Sequence, residues 1–322
     1  VEESEYTWTD LPGGTAESWI EECLDQAAAD YGNTILNSTA RNAYMTRRMK
    51  RIMKRTVWAL SEQIRRGLFT PENYEISFSS ASDLDSVSID LSPEEKLRLQ
   101  GRIDRVDTCE DEEHVYVKVI DYKSGSTSFQ LLSLYHGLQL QLAVYLGAAM
   151  ELMKKEHPGK EVLPAGMLYY QIQDPILDTA EPEGEEELSG ELLEKLKPGG
   201  LINADPEIIS LLDRSMPGKS SVLPLACNKD GSLRAGSPVA TEKQFETLSR
   251  YVNRKIRKIG AEMLEGRADV SPYELKGKTA CDYCPYRGVC GLDSKTEGFR
   301  VRRLPELKEE EIWKRMEEED GN

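Results

Sequence analysis

Between residues 97 and 145 the chain commits to a β-hairpin followed by a helix, and this stretch limits the possible folds more than any other. Leu97, Leu99, Ile103 and Val106 lie in one β-like run that passes through GRIDRVD (Gly101 to Asp107). Val115, Val117 and Val119 alternate with Tyr116, Lys118 and Ile120 in a second run, within VKVIDYKSG (Val117 to Gly125), that ends at Asp121. Patterning with a period of two predicts neighbouring strands. The polar connection from Thr108 to Glu113 is short enough to join them as an antiparallel hairpin, which would bring Asp104 and Asp121 together.

Two carboxylates on paired strands, with Lys123 just beyond the second, suit one chemistry. They can hold a hard divalent cation, Mg²⁺ or Mn²⁺, through oxygen, while cation and lysine stabilise charge on a phosphoryl oxygen and the cation acidifies an attacking water. The period of two places Asp121 and Lys123 on one strand face. Asp-x-Lys alone also describes a solvated turn leaving a strand, so its surroundings carry the reading. Downstream, HGLQLQLAVYL (His136 to Leu146) sets Gln141 and Tyr145 at i and i+4 of a helix. Upstream, the strand-like YEISF (Tyr74 to Phe78) carries Glu75.

GRIDRVD, IDYKSG and Gln-x-x-x-Tyr together resemble the RecB-like nucleases of the PD-(D/E)XK superfamily, and within them the AddB-type nuclease domain of bacterial helicase-nucleases. The resemblance implies a restriction-endonuclease-like α/β fold, a mixed β-sheet flanked by helices with a cysteine loop near the C-terminus. It implies that Asp104 and Asp121 are metal ligands and Lys123 the catalytic lysine, with Gln141 and Tyr145 on the helix beside the site and Glu75 flanking it. It implies Mg²⁺-dependent hydrolysis of DNA in double-strand break repair, on double-strand ends and single strands, beside an AddA-like helicase-nuclease subunit. A Cas4-like nuclease shares the core but is much smaller. A nonenzymatic scaffold binding DNA or a partner is the other alternative, and loss of Asp104, Asp121 or Lys123 would have favoured it; all three are present.

Cys281, Cys284 and Cys290 have the spacing C-x2-C-x5-C, which lets one loop direct three thiolates at a metal centre. An iron-sulfur cluster or structural Zn²⁺ normally takes four ligands. In the nucleases this chain resembles, such a trio joins a distant N-terminal cysteine around a [4Fe-4S] cluster. Cys23 alone precedes the core, in a helical context that suits a small core residue better than a ligand. Those nucleases also bring a histidine from an N-terminal helix to the metal, and no His precedes His114 here. With no initiator Met, the expectation is an N-terminally truncated fragment, impaired in catalysis and with an incomplete or absent cluster.

A formal net charge of -16 argues against indiscriminate binding of nucleic acid. The charge is unevenly spread. Arg41, Arg47, Arg48, Lys50, Arg51, Lys54, Arg55, Arg65 and Arg66 face only Glu62 within residues 41–66. Met49, Ile52, Met53, Val57, Leu60 and Ile64 form an apolar stripe there, so a helix is expected with most of its basic residues on the other face. That face is either solvated or a DNA backbone track, with Arg47, Arg48, Arg51 and Arg55 as its candidate phosphate contacts. A second basic patch, Arg250 to Lys258, lies on a helix expected from Thr241 to about Gly266.

The N-terminus does not resemble a signal peptide, no apolar run is long enough to span a bilayer, and six cysteines in 322 residues fit a reducing, cytoplasmic setting. Four regions are expected: a helical region with the basic helix (1–72), the nuclease core (73–173), an acidic, Pro- and Gly-rich insertion (174–240), and a C-terminal helix with cysteine loop and acidic tail (241–322).

Overall fold

The structure, a computed structural model, describes residues 1, 4–32, 35–78, 84, 87–177, 184–293, 295–297 and 300–320. Helices α1 (Gly13–Asp30) and α2 (Ala40–Arg66) come first, then strands β1 (Thr70–Phe78), β2 (Ser88–Asp90), β3 (Lys96–Arg98), β4 (Gly101–Glu110) and β5 (His114–Lys123). The chain continues through α3 (Leu131–Tyr135), α4 (Gln141–Glu156), β6 (Glu161–Gln171), α5 (Glu185–Lys195), β7 (Gly199–Asn203), α6 (Pro206–Leu212) and β8 (Val239–Ala240). Helix α7 (Glu242–Leu264), β9 (Tyr273–Leu275), β10 (Lys278–Thr279), α8 (Arg287–Cys290), β11 (Arg302–Arg303) and α9 (Glu309–Asp320) complete it. Two compact units result, one of Val1–Ser77, Arg102–Phe129 and Leu152–Glu242, the other of Phe78–Gly101, Gln130–Glu151 and Lys243–Asn322.

A mixed six-stranded sheet of order β1-β4-β5-β6-β7-β8 forms the core of the first unit. β4 and β5 are antiparallel, β5 and β6 parallel, β6 and β7 antiparallel. Parallel strands need a crossover, which here runs through α3 and α4. β6 is buried along nearly its whole length, as a central strand covered on both faces must be. One face of the sheet presents Tyr116, Ile120, Leu168, Tyr170 and Ile202 to a core that includes Ala59 and Leu60 of α2, Leu193 of α5, and Ile208, Ile209 and Leu212 of α6. Pro164 has no N–H to give the ladder, and the β5–β6 register slips just after it: Val117 lies opposite Pro164, but Lys118 lies opposite Gly166.

The expected basic helix is α2 with its expected ends. Thr39 caps it by accepting the Asn42 N–H, and Arg65 and Arg66 sit at the negative end of its dipole. Other expectations are revised. Leu97 belongs to β3, which pairs with β2 in a separate two-stranded sheet. Thr108, Cys109 and Glu110 extend β4, so the hairpin turn is shorter than its polar sequence suggested. The Ser/Asp-rich stretch from Ser79 to Ser86, which reads as a turn, lies almost wholly outside the described residues. Residues 131–155, whose leucine-rich sequence reads as one buried helix, form two, broken where Gly137 takes φ +81 after α3. Residues 174–240, expected as an insertion, add β7 and β8 to the main sheet and bury Leu201, Ile202, Val222 and Leu225. Cys23 is exposed rather than a core residue, because α1 buries only Ala28. In the second unit, the acidic tail, whose sequence reads as a peripheral helix, forms α9 and buries Ile312, Trp313 and Met316.

Candidate active site

The β4–β5 register carries the site. Arg105 lies opposite Ile120 and Val106 opposite Val119, and Asp104 and Asp121 follow just beyond the last of these pairs. Asp104 accepts the backbone N–H of Tyr122 on one carboxylate oxygen at 2.8 Å, which orients the group across the end of the hairpin. Asp121 is almost wholly buried and pairs with Lys123, Nζ lying 2.5 Å from Oδ2. Burial pushes the Asp121 carboxyl above the ordinary carboxylate range; Lys123 opposes that shift and Asp104 adds to it. Tyr169 of β6 is the lateral partner of Asp121, and its ring centroid lies 5.3 Å from the Lys123 ammonium.

Two carboxylates, one held by a backbone donor and one by an ammonium, form an all-oxygen donor set. Such a set fits Mg²⁺ or Mn²⁺, which bind hard oxygen ligands at about 2.0 to 2.6 Å. Glu75 is exposed, has φ +53, and pairs with Arg102, Nε to carboxylate 2.6 Å. Gln141 and Tyr145 belong to the second unit, where α4 places them one turn apart and the Gln141 amide donates to the Tyr145 hydroxyl at 2.9 Å. In that unit Tyr145 meets Phe78 edge to face, and a Cβ at position 101 would lie 2.5 Å from the Phe78 ring, so the glycine of GRIDRVD makes room for that ring.

The opposite face of the same hairpin holds a charged cluster that sequence reading did not anticipate. Arg105 and Asp107 are both buried and doubly hydrogen-bonded, Nε to Oδ1 at 2.5 Å and Nη2 to Oδ2 at 2.8 Å. Lys118, directly across the ladder, reaches Asp107 Oδ2 at 2.9 Å, and Arg105 also donates to the Tyr122 hydroxyl at 3.3 Å. Burial alone would raise the Asp107 carboxyl, but Arg105 and Lys118 hold it below its ordinary value. For Lys118 burial outweighs Asp107, and its ammonium is pushed down. The signal was available: the hairpin that brings Asp104 and Asp121 together also sets Asp107 opposite Lys118.

The basic face of α2 is only partly free. Arg51 and Arg55 both bind Asp174, which they hold below the carboxylate range against the pull of burial. Lys50 pairs with Asp25 of α1, and Lys54 with Glu17 and Glu21. Arg47 and Arg48 are exposed and make no ion pair among the described residues.

Cys281, Cys284 and Cys290 are half-buried free thiols in the second unit. With Glu274, Thr279, Arg287 and Leu292 they line a cavity of about 350 Å³. Elsewhere, Glu72, Glu156 and His157 bring possible ligand atoms within 4.8 Å of one another at the surface. Among the described residues no helix is long and apolar enough to cross a membrane.

The chain is similar to known proteins along nearly its whole length. Over 329 residues it is 41% identical to the B-type subunit of the ATP-dependent helicase/deoxyribonuclease of Lachnoclostridium phytofermentans, a match covering 99% of this chain and 27% of that protein. The proteins of the same name from Thermoanaerobacter sp. (strain X514) and Clostridium kluyveri are 37% and 35% identical, each with 28% of its length matched. The chain thus spans about a quarter of the length of these curated relatives. A family model for the PD-(D/E)XK nuclease superfamily matches residues 3–291, a range that includes the carboxylate hairpin, the Gln-x-x-x-Tyr helix and the cysteine trio. With a mixed sheet, paired carboxylates and Asp-x-Lys on its central strands, the chain belongs to the PD-(D/E)XK nuclease superfamily.

Proposed function

We propose that this chain is the nuclease portion of a longer AddB-type helicase-nuclease subunit and hydrolyses DNA phosphodiesters with Mg²⁺ or Mn²⁺. Asp104 held by the Tyr122 N–H next to Asp121, with Lys123 against Asp121, is the observation that carries this reading. Asp104 and Asp121 would hold the cation. When bound, it supplies Lewis-acid polarisation of the phosphate and acidifies water. Lys123 presents its ammonium beside the same carboxylate, where it can bind a phosphate oxygen and stabilise the charge that grows there. The backbone N–H of Tyr122 keeps Asp104 turned toward the site before any ligand arrives.

Similarity to proteins named as subunits of a helicase/deoxyribonuclease supports DNA as the substrate, its double-strand ends and single strands, and an AddA-like helicase-nuclease subunit as the partner. Recombinational repair in the cytoplasm follows from the same reading. Glu75 would flank the site, and Gln141 and Tyr145 carry the family's Gln-x-x-x-Tyr motif. Cys281, Cys284 and Cys290 would supply three ligands of a [4Fe-4S] cluster. Arg47 and Arg48 would contact phosphates; Arg51 and Arg55 could add to this only by sharing their charge with Asp174.

The reading is tested by digestion of linear DNA with added Mg²⁺. Lys123→Met should lower the rate about 10²- to 10³-fold, the usual cost of removing one preorganised stabiliser of transition-state charge, and Asp104→Ala or Asp121→Ala should abolish digestion. Equal digestion by all four proteins would remove the assignment.

A further inference from the structure

We propose that Tyr44 is a base-stacking residue, which makes the outward face of α2 a track for single-stranded DNA rather than for duplex. The inference deepens the DNA-directed reading above and rests on it. It starts from the helix period. Arg41, Tyr44, Arg48, Arg51 and Arg55 follow one another at steps of three, four, three and four, so they form one stripe along α2. The stripe lies on the side away from the buried Thr56, Leu60 and Ile64. Its two ends differ. Arg51 and Arg55 are held by Asp174, whereas Arg41 and Arg48 are exposed and make no ion pair among the described residues.

Between those two guanidiniums stands Tyr44, which is 56% exposed and has no hydrogen-bond or ring partner among the described residues. A lone exposed tyrosine is ordinary on a protein surface. Its place sets this one apart, because residues three and four apart on a helix have Cβ atoms about 5 to 6 Å from each other, so an arginine flanks the ring on either side. The preceding turn adds to the same surface. Gly32 takes φ +56, and a Cβ there would lie 2.8 Å from the Ile35 side chain, so glycine lets Ile35 lie against the end of α1. The Asn42 amide ties Ile35 to α2 by donating to its carbonyl at 2.7 Å. Tyr31 and Ile35, both exposed, are thereby held at the end of α2 that carries Arg41 and Tyr44.

Arginines and an aromatic ring on one helix face match the two parts of a nucleotide. Arg41 and Arg48 would neutralise phosphates, and the Tyr44 ring offers a flat face to a base, a contact that does not depend on which base it is. A duplex satisfies only the first half, since its bases are already paired and stacked inside. A single strand satisfies both. Charge points the same way: the chain carries a formal charge of -16, so a polyanion is drawn to the stretch where arginines stand without acidic partners.

The test separates bases from phosphates. Fluorescence anisotropy of this chain, without divalent cations so that nothing is cleaved, would compare three labelled probes: an oligothymidylate, a strand of the same length made of abasic residues, and a blunt duplex. The wild type should prefer the oligothymidylate to the abasic strand. Tyr44→Ala should lose about 5- to 100-fold in affinity for the oligothymidylate and little for the other two probes. Its slope of log K against log salt should stay at the wild-type value, because no phosphate contact is removed. Tyr44→Phe should bind like the wild type, since the ring and not the hydroxyl makes the contact. Unchanged oligothymidylate binding in Tyr44→Ala would overturn the proposal, as would an equal loss on all three probes. The wild-type preference needs no variant, so its absence would overturn the proposal even if Tyr44→Ala did not fold. If the wild type binds none of the probes, the DNA reading itself fails and takes this inference with it; tight binding that ignores Tyr44 removes the inference and leaves that reading standing.

Discussion

Arg105, Asp107 and Lys118 show how one hairpin can carry opposite chemistry on its two faces. Asp104 and Asp121 face the candidate metal site, whereas Arg105 and Asp107 point into the core side and neutralise each other there. Removing one member of such a group leaves a buried charge without compensation, at a typical cost of about 3 to 5 kcal/mol. Asp107→Asn should therefore lower the unfolding free energy by that amount in urea titrations, while Asp104→Asn, at the partly exposed rim, should cost much less. Comparable losses from both would show that the cluster has no special weight. The candidate site residues were legible because period two and a short turn determine which residues meet. The buried cluster was not, because charged residues in a strand ordinarily mark a solvated face; only the cross-strand register reveals that Asp107 and Lys118 are partners.

At the level of elements, the β4–β5 turn and helix α2 each turn local chemistry into geometry. Asp111 accepts the backbone N–H groups of Glu113 and His114 at 2.8 and 2.7 Å, closing the turn that sets the hairpin register. These donors pull its carboxyl down from the ordinary range to about 2. A carboxyl with a depressed folded-state pKa adds stability above its unfolded value, and that stability is lost as pH falls through the folded value. The stability difference between wild type and Asp111→Ala, followed by urea unfolding, should thus be constant above about pH 5, shrink as pH falls toward about 2 and be lost below it. A difference that does not change across this window would exclude Asp111 as the titrating group. For α2, Arg47→Glu with Arg48→Glu should reduce the slope of log K against log salt for DNA by about 0.7 to 0.9 for each phosphate no longer neutralised. Arg51→Met with Arg55→Met should act mainly on stability, because these side chains already hold Asp174. Fluorescence anisotropy across a salt series, paired with thermal melts, separates the two; an unchanged slope in the first pair would mean its face is merely solvated. The helix and its ends were readable from the apolar stripe. The acidic partners Asp174, Glu17 and Glu21 were not, since they arrive from distant segments that only the tertiary fold brings near.

Across the whole molecule, a chain of strongly negative net charge places its candidate chemistry on a narrow strip of two paired strands. Residues 174–240 looked like an excursion because Glu, Pro and Gly dominate their composition, yet their few apolar residues supply two strands and much of the packing on the sheet. Burial depends on where those few residues land, and composition does not report that. The central claim is that Asp104 and Asp121 form the metal site. Calorimetric titration with Mn²⁺ tests it most directly, because the alternative ligand group, Glu72, Glu156 and His157, is also present in the chain. Binding should be lost in Asp104→Ala and in Asp121→Ala and be retained in Glu72→Ala with His157→Ala. Retention in the first two variants together with loss in the last would contradict the account.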